Sequence, residues 1–231
     1  MPEHIALLPA AGVGARMGVD LPKQYLAIAG RPMIWHAIRA FERHAAIRRI
    51  YVAIAPEDGY WDSYDWTGFS KLRVLRCGGA TRAATVLNTL SAMAADVVLD
   101  DWILVHDAAR PCLTAAMLDR LLLEVGGDAV GGILAQPVAD TLKRADGAGR
   151  IAETVPRAAM WGAQTPQMFP HGLLRRALEQ AGTAVTDEAS ALEALGLHPR
   201  LVASDMTNLK VTYPQDLEVA TWLLTRPRGI D

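Results

Sequence analysis

The sequence predicts an α/β fold: an open, mostly parallel, twisted sheet with helices on both faces and one protruding β-hairpin arm. Three observations carry that expectation. Strand-like runs recur at Ile5 to Leu8, Ile50 to Ala55, Leu72 to Cys77, Trp102 to Val105 and Ala129 to Leu134, and the first two read as buried. The first and third empty into small-residue turns, and helical spacing of apolar residues follows, the plan of a strand-turn-helix unit. Between Thr141 and Val155 the character changes to a polar, glycine-centred pair of short strands, the mark of a hairpin. The whole is Rossmann-like, and in such sheets ligands bind at the carboxyl ends of the strands.

Taken in order, the first strand ends in Ala10-Ala11-Gly12, with Gly14 and Gly18 close behind. Pro32 to Ala46 carries Ile34, Ile38 and Phe41 at helical spacing behind a proline that suits a first turn. His36 and His44 on that helix lack a metal-protease arrangement and read as packing or surface residues. Glu57 to Ser70 reads as a connection with a short helix, its Tyr60, Trp61 and Trp66 covering a core edge rather than stacking bases. Gly78-Gly79 turns the third strand into a helix from about Thr81 to Ala95, and Thr114 caps another through Glu124. The polar hairpin has little core of its own and needs something to pack on. Ala158 to Gln164 leads Thr165-Pro166-Gln167 back into the main sheet, followed by a helix from His171 to Gln180. Thr186 with Ala189 is no capping box, and Asp187-Glu188 complement a helix N-terminus in a structural role. Leu201 to Ala203 is an edge strand, and Pro214 opens a final helix.

At 231 residues and 51% apolar composition, the chain can bury a sizeable core as a single domain spanning 1–231. A net charge of -2 with dispersed lysines and arginines argues against a nucleic-acid partner. Cys77 and Cys112 form no close pair, and the chain reaches a core strand within a few residues of its start, so no export signal is read and the cytoplasm is the expected compartment. No apolar run approaches the roughly 20 residues that span a bilayer, so no membrane is expected.

The chemistry concentrates at strand ends. The loop from Ala10 to Gly18 carries Arg16, and Lys23 follows; small residues let backbone N–H groups approach phosphate and the cations meet its charge. An ordinary strand-to-helix turn with a surface Arg and Lys fits the loop equally. Gly18 falls one residue late for a dinucleotide fingerprint, Met17 stands where its third glycine belongs, and no Gly-Lys-Ser/Thr follows, which disfavours nicotinamide binding and a P-loop. Asp107 at the end of the Trp102–Val105 strand is a candidate Mg2+ ligand beside Arg110, the alternative being an Asp that bonds its own turn.

AAGVGARMG, PKQYL, GGATRAATV, HDAARP, TPQMF, TDEASALE and NLKVT occur in that order from Leu7 to about Leu217. In this the chain resembles the 2-C-methyl-D-erythritol 4-phosphate cytidylyltransferases of non-mevalonate isoprenoid biosynthesis. The resemblance implies CTP and methylerythritol phosphate as substrates, Mg2+ or another divalent cation such as Mn2+, and a homodimer interlocked through an arm at about 137–157. It implies catalytic roles for Arg16 and Lys23 at the α-phosphate, and nucleotide contacts from Pro9, Ala10, Ala11, Gly12, Gly14, Gly79, Ala80 and Thr85. For the acceptor it implies Ala108, Arg110, Thr141, Arg157, Thr165 and Lys210, with Thr141 and Arg157 reaching across the dimer. The residue reading of Thr85 alone is a helix threonine bonded to its own backbone. Two positions depart from the family pattern. Ala80 stands where relatives often carry an acidic residue, and Thr207 where they often carry a metal-binding Asp, which leaves Asp205 as a substitute or Asp107 as the protein's only metal ligand. A ribitol 5-phosphate cytidylyltransferase, a nicotinamide-dependent oxidoreductase and a non-catalytic nucleotide sensor are the competing readings.

Overall fold

The computed structural model of the chain describes residues 2–12, 21–182 and 185–226. A seven-stranded sheet is flanked by helices, and two small two-stranded sheets stand apart from it. Its first strand, β1 (His4–Pro9), is followed by the small pair β2 (Ala27–Ile28) and β3 (Arg31–Pro32), helix α1 (Met33–Glu42) and β4 (Ile47–Ala53). Next come β5 (Leu72–Leu75), α2 (Arg82–Ala92), β6 (Trp102–Val105), α3 (Ala115–Val125) and β7 (Gly132–Pro137). The hairpin β8 (Leu142–Ala145) and β9 (Ile151–Val155) then leads into β10 (Trp161–Pro170), α4 (His171–Ala181), α5 (Glu188–Ala194), β11 (Arg200–Ala203) and α6 (Pro214–Thr225).

The strand order is β11-β7-β10-β6-β1-β4-β5, and every pairing is parallel except the two made by β10. The sheet is therefore mostly parallel, as expected, with one reversed strand inserted near its centre. Side chains alternate across it. Ala6 and Leu8 of β1 join Ile34, Ile38 and Phe41 of α1 and Leu118 and Leu121 of α3 on one face. Ile5 and Leu7 join Val86 and Leu90 of α2, Leu174 of α4 and Leu192 of α5 on the other. That double burial explains the unbroken apolar run at Ile5 to Leu8, all 0% exposed.

Local chemistry sets the element ends. Thr81 and Thr114 cap α2 and α3 by accepting from Ala84 N and Met117 N. The seventh strand begins at Gly132 rather than Ala129 because the Asp128 carboxylate accepts from Val130 N at 2.8 Å and Gly131 N at 3.1 Å and holds a turn there. The α5 cap sits one residue past the pair considered from sequence: Asp187 accepts from Ser190 N, and Ser190 reaches back to Asp187 N. In the β8–β9 turn, Asp146 accepts from Ala148 N and Arg150 N. The hairpin forms its own sheet, and nearly all of its residues are exposed. In the 57–70 connection Tyr64 stacks on Tyr25, Tyr60 lies tilted against it, and Trp61 stacks on Trp66 with centroids 4.0 Å apart over the α1 face of the core. No helix among the described residues is long and apolar enough to cross a membrane.

Candidate active site

The carboxyl ends of β1 and β6, the turn after β5 and the loop before α6 converge on a cavity of about 450 Å³. Its walls are Pro9 to Gly12, Lys23, Gln24, Gly79 to Arg82, Thr85, Asp107 to Ala109, and Lys210. Close packing behind the lining demands small residues: a Cβ on Gly78, next to the lining residue Gly79, would lie 2.3 Å from Ala11 Cβ and 3.0 Å from the Ile54 carbonyl. The residue just after β1 is held by Gln24, whose Nε2 donates to the Ala10 carbonyl at 2.8 Å. Lys23, in a short 3-10 turn, donates to the Val211 carbonyl at 3.0 Å and so ties the first loop to the last one.

Among the described residues, Lys23, Arg82 and Lys210 bring three cations to the lining, against the carboxylate of Asp107. Asp107 accepts from Arg82 Nε at 3.0 Å and from Lys210 Nζ at 2.7 Å. Burial alone would raise this carboxyl, but Arg82 and Lys210 outweigh it and hold the group well below the usual carboxylate range. Burial likewise opposes the charge on Arg82, and the carboxylates of Glu188 and Asp107 more than restore it. The wall is therefore an ionised cluster with excess positive charge, suited to a polyanionic ligand.

Behind it lies a buried network that aims Asp107. His106 is fully buried, and its Nε2 lies 3.0 Å from the Arg110 carbonyl, which can only accept. That nitrogen therefore carries the proton, and burial pushes the ring down to about 4, so Nδ1 is bare near neutral pH. The Thr165 hydroxyl donates to Nδ1 at 3.0 Å, and its oxygen accepts from Asp107 N at 3.0 Å. Asn208, 0% exposed, donates through Nδ2 to Gln164 Oε1 at 3.0 Å and to the Thr165 carbonyl at 2.8 Å, while its backbone carbonyl accepts from Arg110 at 2.6 Å. A second cavity of about 400 Å³ adjoins the first at Lys210 and is lined also by Arg110, Gln136 to Asp140 and Gly162 to Gln164.

Of the residues singled out in the sequence, Pro9, Ala10, Ala11, Gly12, Lys23, Gly79, Ala80, Thr85, Asp107, Ala108 and Lys210 share the first cavity, and Arg110 faces the second. Gly14 and Arg16 lie outside the described residues. Thr165 lines neither cavity and is 5% exposed. Thr141 and Arg157 are exposed on the hairpin and its return, where Arg157 donates to the Ala139 carbonyl. Asp205 is exposed, outside both cavities, and its carboxylate accepts from Thr207 N at 2.7 Å and Thr207 Oγ1 at 2.5 Å. The Thr85 hydroxyl bridges Gly79 N and the Thr81 carbonyl, each at 3.0 Å.

Sequence reading missed Arg82, Gln24, His106, Glu188 and Asn208 as parts of the site. Arg82 lay inside a quoted motif; its partner Glu188 is 106 residues away, and no local pattern announces such a pair.

The family profile of the 2-C-methyl-D-erythritol 4-phosphate cytidylyltransferases matches residues 4–226. Proteins of that name from Dechloromonas aromatica and Thiobacillus denitrificans are each 57% identical, over 225 and 227 residues, covering 97% and 96% of this chain and 98% and 97% of theirs. A crystal structure of 4-diphosphocytidyl-2C-methyl-D-erythritol synthase superposes with a TM-score of 0.86 at 46% identity, covering 97% of this chain and 99% of that one. The Francisella tularensis 2-C-methyl-D-erythritol 4-phosphate cytidylyltransferase gives 0.82 at 33% identity, with coverages of 96% and 99%. The matches take in both cavities and the loops that join them. On that extent and identity, the chain belongs to the 2-C-methyl-D-erythritol 4-phosphate cytidylyltransferase family.

Proposed function

We propose that the chain transfers the cytidylyl group of CTP to 2-C-methyl-D-erythritol 4-phosphate, giving 4-diphosphocytidyl-2-C-methyl-D-erythritol and pyrophosphate. The observation that carries this reading is 57% identity, over 97% of the chain, to a protein of that name. The cavity chemistry agrees with it. A phosphate oxygen of the acceptor attacks the α-phosphorus of CTP in line, the bond to the bridging oxygen of pyrophosphate breaks, and the electron pair leaves with it. The acceptor phosphate is already a nucleophile at neutral pH. The main obstacles are repulsion between anions and the charge on the five-coordinate phosphorus, so catalysis is positioning plus electrostatic stabilisation.

The residues divide accordingly. Lys23, Arg82 and Lys210 meet phosphate charge in the first cavity. Backbone groups of Gly79 and Ala80 read the cytosine, with Thr85 fixing the turn. Arg110 and Lys210 hold the acceptor phosphate where the two cavities meet, and Thr165 orients Asp107. The donor set fits Mg2+: Asp107 is a hard oxygen ligand whose two bonds to cations leave lone pairs unused, and this ion takes one or two carboxylates and completes its shell with water and phosphate oxygens. Asp107 would hold the ion, which would supply neutralisation of phosphate charge. Asp205, occupied by Thr207, is not needed for it.

The arm at about 137–157 docks on a second copy, bringing Thr141 and Arg157 to the partner's acceptor site, and the enzyme works in the cytoplasm as a single nucleotidyltransferase domain. Analytical ultracentrifugation tests the assembly; a monomer at micromolar concentration contradicts it. Pyrophosphate release with Mg2+ tests the activity, supplying methylerythritol phosphate or ribitol 5-phosphate against each of the four nucleoside triphosphates. Release confined to CTP and methylerythritol phosphate is expected. Release with ribitol phosphate instead overturns the acceptor, and no release with any pair overturns the transferase reading.

A further inference from the structure

We propose that Glu188 is a positioning residue of the transfer reaction, acting through Arg82 on Asp107; this rests on the reading of Asp107 given above. The TDEAS segment contributes no wall to either cavity. Yet Glu188, at 0% exposure, faces inward, and both its carboxylate oxygens are taken by Arg82, Nη1 to Oε1 at 2.5 Å and Nη2 to Oε2 at 3.0 Å. The same guanidinium gives its Nε to Asp107 at 3.0 Å. One planar group thus spans two carboxylates, the buried one bidentate and the cavity one through a single bond.

Glu188 is itself held firmly. Gln167 of β10 accepts from Ala189 N at 2.9 Å and donates to Asp187 at 2.8 Å, so the central reversed strand fixes the first turn of α5. Stability alone is a poor reason for this construction, because a buried ion pair contributes no more than an apolar pair of the same volume in many proteins. Its effect on the site is specific. With the fork of Arg82 committed to Glu188, Asp107 receives one hydrogen bond from that side and keeps lone pairs toward the cavity. Without the Glu188 charge, the nearest anion for the fork is Asp107, and a bidentate pair there would consume the oxygens that the divalent cation needs.

The test uses the full-length enzyme with Glu188→Gln, Glu188→Asp, Arg82→Met and the Arg82→Met/Glu188→Gln double variant. Pyrophosphate release gives kcat and KM, circular dichroism gives the folded fraction, and electron paramagnetic resonance gives Mn2+ affinity with CTP in the absence of acceptor. Glu188→Gln is expected to lower kcat at least tenfold per folded molecule and weaken Mn2+ binding severalfold, with Glu188→Asp recovering part of both. In the Arg82→Met background, Glu188→Gln is expected to add less than twofold, because its action runs through Arg82. A Glu188→Gln enzyme within twofold of wild type in kcat and Mn2+ affinity overturns the proposal, whatever its melting temperature. So do effects that multiply in the double variant. Should Glu188→Gln fail to fold, the double variant, which buries no unpaired charge, decides by the same comparison with Arg82→Met. A wild-type enzyme that releases no pyrophosphate would overturn the functional reading instead, and Mn2+ affinity would still decide whether Glu188 acts on Asp107.

Discussion

Replacing Asp107 by Asn separates what this residue does for the fold from what it does for the reaction. The Asp107 side chain is 11% exposed, and its carboxylate accepts from Arg82 at 3.0 Å and Lys210 at 2.7 Å. Asn keeps the shape and one acceptor oxygen, but turns an N–H toward the other cation. One charge-assisted bond is lost, about 1.5–3 kcal/mol, and the Lys210 side is discounted because that side chain is 42% exposed and can rehydrate. A net cost of about 2 kcal/mol corresponds to a melting temperature lower by roughly 4–8 °C for a chain of this size. The effect on turnover is expected to be larger, roughly a thousandfold or about 4 kcal/mol, because in the proposed function metal and phosphate charge both meet at this carboxylate. Acid behaviour gives an independent check. The folded-state carboxyl lies below its ordinary value of 3.8, so its stabilisation is complete above that pH and is lost as the pH falls below it. The Asn variant lacks this limb. Calorimetry, denaturant titration between about pH 2 and 7, and pyrophosphate release measure the three quantities. Turnover within tenfold of wild type in a folded Asn variant would refute the assignment of Asp107 to the metal.

Gly78→Ala should cost about 1–3 kcal/mol or more by urea titration, because its Cβ meets Ala11 and backbone at 2.3 to 3.1 Å; Gly12→Ala, with nothing within 4 Å, should leave stability alone and raise the KM for CTP. His106, pushed down to about 4 by burial, should make the protein lose about 2 kcal/mol between pH 7 and pH 5, since the unfolded chain binds the proton first; His106→Gln should flatten that slope. Thr165→Val removes the acceptor for Asp107 N and the donor to His106, and should destabilise by about 1–3 kcal/mol and lower turnover, with Thr165→Ser restoring both. Lys23→Ala should reduce kcat by roughly a hundredfold to a thousandfold with little change in CTP affinity, and an unchanged kcat in steady-state assays would remove it from the transition state.

The parts legible in the sequence were those that short-range chemistry dictates. The apolar run at Ile5 to Leu8 gave a strand buried on both faces, the threonines at 81 and 114 gave helix caps, and the polar stretch around Asp146 gave a hairpin. The cavity loops could be placed because strand ends in a parallel sheet share an edge. The direction of β10 could not be derived, since its residues read the same whether the strand runs up or down. Nor could the pairs that span the chain, such as Arg82 with Glu188 or Arg110 with Asn208, where sequence separation is large and each partner alone resembles an ordinary surface residue. The start of β7 was misjudged because Asp128 competes for the backbone that an apolar count assigns to a strand.

The hairpin leaves the sheet at Pro137 and returns at Trp161, and these two residues are register partners across β7 and β10. Val138 N donates to the Met160 carbonyl at 3.0 Å just beyond them. The excursion therefore has its ends side by side, and the sheet beneath would close as a simple turn without it. Its length and side chains can change with little loop-closure entropy to repay and no strand to re-register. It is a cassette in the architectural sense. If the arm has the proposed roles in acceptor binding and assembly, exchanging it between relatives moves both as one unit and leaves the first cavity untouched.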